Sequence, residues 1–305
     1  MGLQKVLVIA GPTAVGKTAL SIEWAKKWNG EIISGDSMQV YQKLDIGTAK
    51  VKPEEMQGIP HYLLDYKEPT AEYSVADFQK DGRKAIAEIA QKGKLPIIVG
   101  GTGLYLQSLL YDFHLGTKEE TISKEVKEQV AQWQEEKTAQ ELWEELKERD
   151  EKTAQTIHPN NRRRVARALE VVLSTGKSFQ QKETPQPLYD FQLIILNTDR
   201  ERLYDRINQR VDLMIEEGLL EEAQWVQTLG PVQSSRGIGY KEFMPYFSGE
   251  ISLEEAINDV KQHSRQYAKR QLTWFRNRLS GTWLDLWQEG EKERVEKEVQ
   301  EWLKN

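Results

Sequence analysis

Gly11-Pro-Thr-Ala-Val-Gly-Lys-Thr18 fits the pattern G-x-x-x-x-G-K-S/T. It lies between the apolar run Val6–Ala10 and a helical pattern that begins near Lys17. A glycine-rich turn between a strand and a helix gathers backbone N–H groups into one concavity, and the helix dipole adds partial positive charge there. Gly11, Pro12, Thr13, Ala14, Val15, Gly16, Lys17 and Thr18 therefore read as a cradle for a di- or triphosphate. Lys17 is expected to reach the outer phosphate oxygens, and the Thr18 hydroxyl to ligate a phosphate-bound Mg²⁺.

Strand and helix signals alternate outward from this loop. Glu31-Ile-Ile-Ser-Gly-Asp36 reads as a second short strand ending in a carboxylate. Ser74-Val-Ala-Asp77 has capping-box spacing ahead of a helix running to about Gln91. Pro96-Ile-Ile-Val-Gly-Gly101 is an apolar strand that stops at a glycine pair. The alternation predicts an α/β fold of the P-loop type, a parallel sheet flanked by helices on both faces. From about Gly116 the texture turns helical and polar, with Val130, Trp133, Leu142, Trp143 and Leu146 at helical spacing. Phe191–Asn197 returns to strand character. Residues 117–188 are thus expected to form an all-helical insertion in a core of residues 1–116 and 189–305. The chain from Arg200 reads as helical, and the tail after Glu289 as an exposed helix without chemistry.

With 305 residues and 38% hydrophobic content, the chain can bury a full core and an accessory unit. It has no cysteine, which excludes disulfides, thiolate zinc sites and cysteine nucleophiles and agrees with a reducing cytosol. No apolar run approaches the ~18 residues of a membrane span. The N-terminus enters a strand without a secretory segment. A cytoplasmic protein without membrane contact is expected. The net charge of −6 argues against a protein devoted wholly to nucleic acid, but the average hides an uneven distribution. Residues 119–151 carry twelve acids against five bases, whereas Lys261–Arg278 carries six bases and no acid. Arg162, Arg163, Arg164 and Arg167 form a second basic cluster. Each cluster is either a local polyanion surface or a solvated helix face.

In a doubly wound sheet the site lies at the carboxyl ends of the strands, and Asp36 falls there beside the phosphate loop. Its surroundings, Ser34-Gly-Asp-Ser-Met-Gln-Val-Tyr41, are polar for a sheet edge. A carboxylate so placed can take a proton from an acceptor. Nucleotide hydrolases usually end an apolar strand in Asp, but the strand at Ile97–Val99 ends in Gly100-Gly-Thr-Gly103 and that at Leu193–Leu196 in Asn197. A small-molecule kinase, with Asp36 deprotonating a hydroxyl, stays open at this point.

Six blocks carry a resemblance. Gly11–Thr18, Ser34–Tyr41, Asp45-Ile-Gly-Thr-Ala-Lys50, Val99-Gly-Gly-Thr-Gly-Leu-Tyr105, His158-Pro-Asn160 and Ala268-Lys-Arg-Gln-Leu-Thr-Trp-Phe275 together resemble the tRNA dimethylallyltransferase family. The blocks span residue 11 to about 276. The resemblance implies transfer of a dimethylallyl group from its diphosphate to N6 of the adenosine 3′-adjacent to the anticodon, releasing diphosphate. By that analogy Lys17 and the loop hold the diphosphate, Thr18 ligates Mg²⁺, and Arg210 contacts the diphosphate. Asp36 is then the general base and Thr102 helps place the adenine amine. Asp36, Ser37, Met38, Gln39 and Thr102 would face the extruded adenosine, and Arg164, Arg167, Lys269 and Arg270 the tRNA. The helical insertion resembles the family's anticodon stem–loop domain. Without cysteine for a C-terminal zinc finger, the chain is similar to the short bacterial form, and a monomer is expected. The kinase alternative leaves Asp45–Lys50 and the cationic C-terminal helix without a role.

Overall fold

In the computed structural model, residues 2–112, 122–176, 178–179 and 185–305 are described. They divide into two compact units, one drawn from Met1–Asp112 and Pro187–Asn305, the other from Phe113–Gln186. The expected start of the helical insertion, residue 117, falls among residues 113–121, outside the described ones.

The first unit runs β1 (Lys5–Ala10), α1 (Lys17–Lys27), β2 (Gly30–Ser34), the single turn α2 (Pro53–Met56), β3 (His61–Tyr62), α3 (Val75–Gln91), β4 (Leu95–Gly100) and α4 (Gly103–Leu110). The second unit supplies α5 (Lys124–Glu136), α6 (Ala139–Arg149), α7 (Glu151–Ala154) and α8 (Arg162–Thr175). The first unit then resumes with β5 (Asp190–Leu196), α9 (Arg200–Glu216), α10 (Leu219–Thr228), α11 (Met244–Phe247), α12 (Leu253–Arg278), β6 (Thr282–Leu284) and α13 (Glu291–Lys304).

Among the described residues the strands form one sheet, ordered β3-β2-β4-β1-β5-β6, with every pairing parallel. β1 is the first strand laid down yet sits centrally, between β4 and β5. The chain winds outward from it in both directions, and that reversal opens a crevice at the carboxyl ends of the strands. Strand alternation decides which residue meets which layer. Val6, Val8 and Ala10 join Ile33, Ile98 and Ile195 in one core cluster, packed with α3, α4 and α10. Leu7 and Ile9 join Ile32, Ile97 and Ile194 in the other, packed with Leu20 and Trp24 of α1 and Val295 and Val299 of α13. Both faces of the sheet are covered, which is why its strands read as continuous apolar runs. In the second unit Val130, Leu142 and Leu146 pack on Val165 and Leu169 of α8, with Trp133 and Trp143 at the margin.

The structure corrects three sequence expectations. β3 and β6 have two and three residues, too short to show a period, so β6 was hidden in a stretch read as helical. The second strand stops at Ser34, which leaves Asp36 in the loop beyond it. The C-terminal tail is no detached surface helix: Val295 and Val299 are fully buried, and Glu296 accepts a hydrogen bond from Trp24 Nε1 at 2.8 Å.

Candidate active site

The carboxyl ends of β1, β2 and β4, together with α9 and α12, enclose a cavity of about 990 Å³ lined by Thr13–Thr18, Asp36–Gln39, Arg206, Arg210, Tyr267 and Gln271. Its construction begins with the loop after β1. Gly16 caps α1 at φ 95°, a left-handed conformation that glycine adopts without strain. That cap brings no side chain to the helix end, and the first turn holds no acid. The amides of Ala14, Val15 and Gly16 find no acceptor among the described residues. An uncapped helix N-terminus with free amides facing a cavity is an anion site.

Cations converge on the same place. Lys17 Nζ donates to the carbonyls of Gly11 (3.0 Å) and Pro12 (2.6 Å). Burial lowers its pKa from 10.5 to about 8; the charge of Asp36 opposes the fall and that of Arg210 adds to it. From α9, Arg206 Nε donates to the Ala14 carbonyl at 2.8 Å and its guanidinium lies 4.9 Å from the Trp287 ring centre. Arg210 stands one turn further on, with no ion-pair partner among the described residues, and its pKa is lowered by burial and then by Arg206. None of the three has an ion-pair partner among the described residues, and the carboxylates of Asp36, Glu55 and Glu217 act on Lys17 and Arg210 only from a distance; a diphosphate would relieve their mutual repulsion.

Asp36 lies elsewhere on the lining, and its position is set by local bonds. Its Oδ1 accepts from the Met38 amide at 2.8 Å and more weakly from the Gln39 amide at 3.4 Å. The second oxygen accepts no hydrogen bond from the described residues. Gln39 is engaged on both ends of its amide: Nε2 donates to the carbonyls of Thr48 (3.1 Å) and Ala49 (3.2 Å), and Oε1 accepts from Ser34 at 3.2 Å. Ser37 and Met38 line the cavity.

Thr102 occupies the cap position of α4, yet its hydroxyl does not cap that helix. Its Oγ1 is buried, makes no hydrogen bond of good geometry and has the Tyr267 hydroxyl as a polar neighbour, which leaves it able to turn to an incoming polar group. Tyr267 of α12 faces the same region. Burial pushes its hydroxyl up to about 12, helped by the charge of Asp36 and opposed by the nearby Thr102.

Gln271 holds the loops together. Its Oε1 accepts from the Thr13 amide at 3.2 Å and its Nε2 donates to the Gly101 carbonyl at 3.0 Å. A Cβ on Gly101 would lie 2.1 Å from Gln271 Nε2, so only glycine admits this approach. Gly103 meets Trp274 of α12 in the same way, where a Cβ would lie 2.1 Å from the ring, whereas Gly100 is held to glycine by the backbone of Gly35, 2.3 Å from where its Cβ would be.

The remaining expected residues separate. Arg270 lines the cavity; Lys269 lies with it, Trp274 and Arg278 along an outer groove of α12 of about 500 Å³. Of the six cations of Lys261–Arg278, Lys261 pairs with Asp212 at 2.5 Å and Arg265 donates to Asn208 at 2.6 Å, which binds α12 to α9. The other four have no ion-pair partner among the described residues, whereas Phe275 is fully buried in the core. Arg164 and Arg167 belong to the second unit: Arg164 is exposed, and Arg167 pairs with Glu170 at 2.9 Å. Arg162 is spent on the carbonyls of Gln134 and Lys137.

Sequence reasoning missed Arg206, Tyr267 and Gln271 as site residues. Arg206 precedes Arg210 by four positions, one helical turn on the same face. Gln271 stands on the buried stripe of α12 between Ala268 and Phe275, where a polar residue signals a buried partner.

The sequence model of the IPP transferase family matches residues 39–278. A tRNA dimethylallyltransferase of Enterococcus faecalis is 61% identical over 303 residues, covering 99% of this chain and 98% of that protein. The crystal structure of a tRNA delta(2)-isopentenylpyrophosphate transferase from Staphylococcus epidermidis is 48% identical and superposes with a TM-score of 0.72, covering 98% of this chain and 99% of that one. A eukaryotic dimethylallyltransferase captured acting on tRNA is 32% identical with a TM-score of 0.85, over 99% of this chain and 80% of that one.

Proposed function

The chain belongs to the IPP transferase family, and from that premise we propose that it is a tRNA dimethylallyltransferase with the following chemistry. It transfers the dimethylallyl group of dimethylallyl diphosphate to N6 of the adenosine 3′-adjacent to the anticodon. The C1–O bond to diphosphate breaks, the N6–C1 bond forms, and one N6 proton leaves.

One observation carries the residue assignments: a single cavity joins an uncapped helix N-terminus, Lys17 and two arginines to the carboxylate of Asp36. The adenine amine is a poor nucleophile, so charge must build on the departing diphosphate before the new bond is strong. The amides of Ala14–Gly16 with Lys17, Arg206 and Arg210 are fixed donors for that charge, the kind of preorganised stabilisation that lowers such a barrier most. Asp36, with one carboxylate oxygen uncommitted, takes the N6 proton, a contribution of about 10²–10⁴-fold for a positioned base. The buried Thr102 hydroxyl, beside that of Tyr267, orients the amine.

The residues fit a phosphate-borne Mg²⁺. Thr18 is exposed on the cavity, and its hydroxyl makes no hydrogen bond among the described residues. No group of three or more His, Cys, Asp or Glu among the described residues could cage an ion. A single hydroxyl suits a cation carried mainly by phosphate oxygens and water. Such an ion would neutralise part of the leaving group's charge.

The acceptor base must leave the anticodon stack to enter the cavity. Ser37 and Met38 line its path, Lys269 and Arg270 would meet RNA phosphates, and Arg164 with Arg167 would serve the stem–loop from the helical unit. Among the described residues no helix is long and apolar enough to cross a membrane, and a cytoplasmic, monomeric enzyme completes the proposal. Mixing the protein with dimethylallyl diphosphate and unmodified tRNA should release one diphosphate per tRNA. Release that proceeds without tRNA, or phosphate transfer from ATP to a small acceptor, would defeat the proposal.

A further inference from the structure

The Asp45–Lys50 block has no part in the chemistry above, but its contacts are unusually dense. The carboxylate of Glu222, on α10, accepts three successive backbone N–H groups: Asp45 and Ile46 at 2.9 Å and Gly47 at 2.8 Å. The hydroxyl of Tyr240, fully buried, donates to the same carboxylate at 2.8 Å. Gly47 lies flat against the Tyr240 ring, where a Cβ would come within 2.7 Å of Cζ. Lys50 Nζ completes the loop on the Tyr41 carbonyl and the carboxylates of Asp45 and Asp65 at 2.6–2.7 Å.

What these bonds hold is cavity wall. Gly47, Thr48 and Ala49 line the cavity, and so do Gly237, Ile238 and Gly239 just before Tyr240. Both segments abut the Asp36 loop: Gln39 Nε2 donates to the Thr48 and Ala49 carbonyls, and the Met38 methyl would lie 2.8 Å from a Cβ on Gly237. The anion end is fastened by different residues, Gln271 on Thr13 and Arg206 on Ala14.

We propose that Glu222 is a positioning residue for the acceptor. By clamping residues 45–47 to Tyr240 it fixes the walls beside Asp36, and so governs use of the tRNA adenosine while touching neither substrate. The inference rests on the function proposed above. A carboxylate is required because all four of its partners are donors, and a glutamine there would turn its own N–H groups against backbone N–H groups.

The test compares Glu222→Gln, Glu222→Asp and Tyr240→Phe in steady-state prenylation of tRNA, with dimethylallyl diphosphate affinity and thermal melting measured alongside. Misplacing reacting groups by an ångström costs up to about 10²-fold, so Glu222→Gln should lower kcat/KM for tRNA by about tenfold or more. Its donor Kd should stay at the wild-type value. Glu222→Asp, which keeps the charge, should recover part of the loss, and Tyr240→Phe should show the same split to a smaller degree. Wild-type kcat/KM for tRNA in Glu222→Gln would overturn the inference, as would equal losses for tRNA and donor. Should Glu222→Gln fail to melt cooperatively, Tyr240→Phe decides by the same split. A wild-type protein that makes no prenylated tRNA would instead sink the underlying function, and that is seen before any variant is compared.

Discussion

Replacing Gln271 with alanine removes a side chain that bonds both the phosphate loop and the residue just after β4. Two partners lose it unequally. The Gly101 carbonyl is buried and stays unpaired, at a cost of about 1–3 kcal/mol. The Thr13 amide is only part-buried, so water can replace its partner and the loss is about 0.5–1.5 kcal/mol. The sum, about 1.5–4.5 kcal/mol, is large against the ~5–15 kcal/mol stability of a whole domain. Gly101→Ala should also destabilise, because its Cβ would lie 2.1 Å from the Gln271 amide and 3.1 Å from the Gly11 carbonyl. In the double variant the first clash is gone. Chemical denaturation of the four proteins should therefore give a double-variant loss about 1–2 kcal/mol smaller than the sum of the single losses. Donor Kd should rise in Gln271→Ala, since the phosphate loop loses its anchor. Strict additivity, or a Gln271→Ala protein with unchanged stability and donor affinity, would refute the bridging role.

Lys17, with a pKa held near 8 in the free protein, is charged below that pH and neutral above it. kcat/KM for the donor should therefore fall about tenfold per pH unit above 8, while kcat stays level because bound diphosphate raises the same pKa; a flat kcat/KM from pH 7 to 9.5 would show that no charge loss on Lys17 near pH 8 limits donor capture. Arg206→Ala and Arg210→Ala should each raise donor KM and lower kcat, losing about 1.5–3 kcal/mol of charge-assisted bonding, and a wild-type KM and kcat in either would remove that arginine. Asp36→Asn should slow single-turnover prenylation by about 10²–10⁴-fold and leave both substrate affinities near wild type; an undiminished rate would mean another group takes the proton. Lys269→Ala should reduce the slope of log K for tRNA against log salt by about one, and an unchanged slope would return that lysine to the solvated surface.

Much of this was legible in the sequence because it is local. The phosphate loop, the capping box at Ser74 and the apolar strands are contiguous signals, and the sheet, the loop and the helical block follow from them. Three kinds of feature were not legible. β3 and β6 are too short to carry a period. Long-range polar contacts leave no pattern: Glu222 meets Asp45–Gly47 from about 175 positions away, and Gln271 meets Thr13 across 258. Burial, finally, divides residues that composition treats alike. Lys261 and Arg265 join helices, Lys269 has no ion-pair partner among the described residues, and Phe275 is core, although all belong to one basic, aromatic stretch.

The central claim is tested most directly by incubating the protein with unmodified tRNA, Mg²⁺ and labelled dimethylallyl diphosphate, then digesting the RNA and locating the label by mass. The account predicts one dimethylallyl group on N6 of the adenosine 3′-adjacent to the anticodon. Label at another nucleotide, or none with active donor and a verified tRNA, would contradict it.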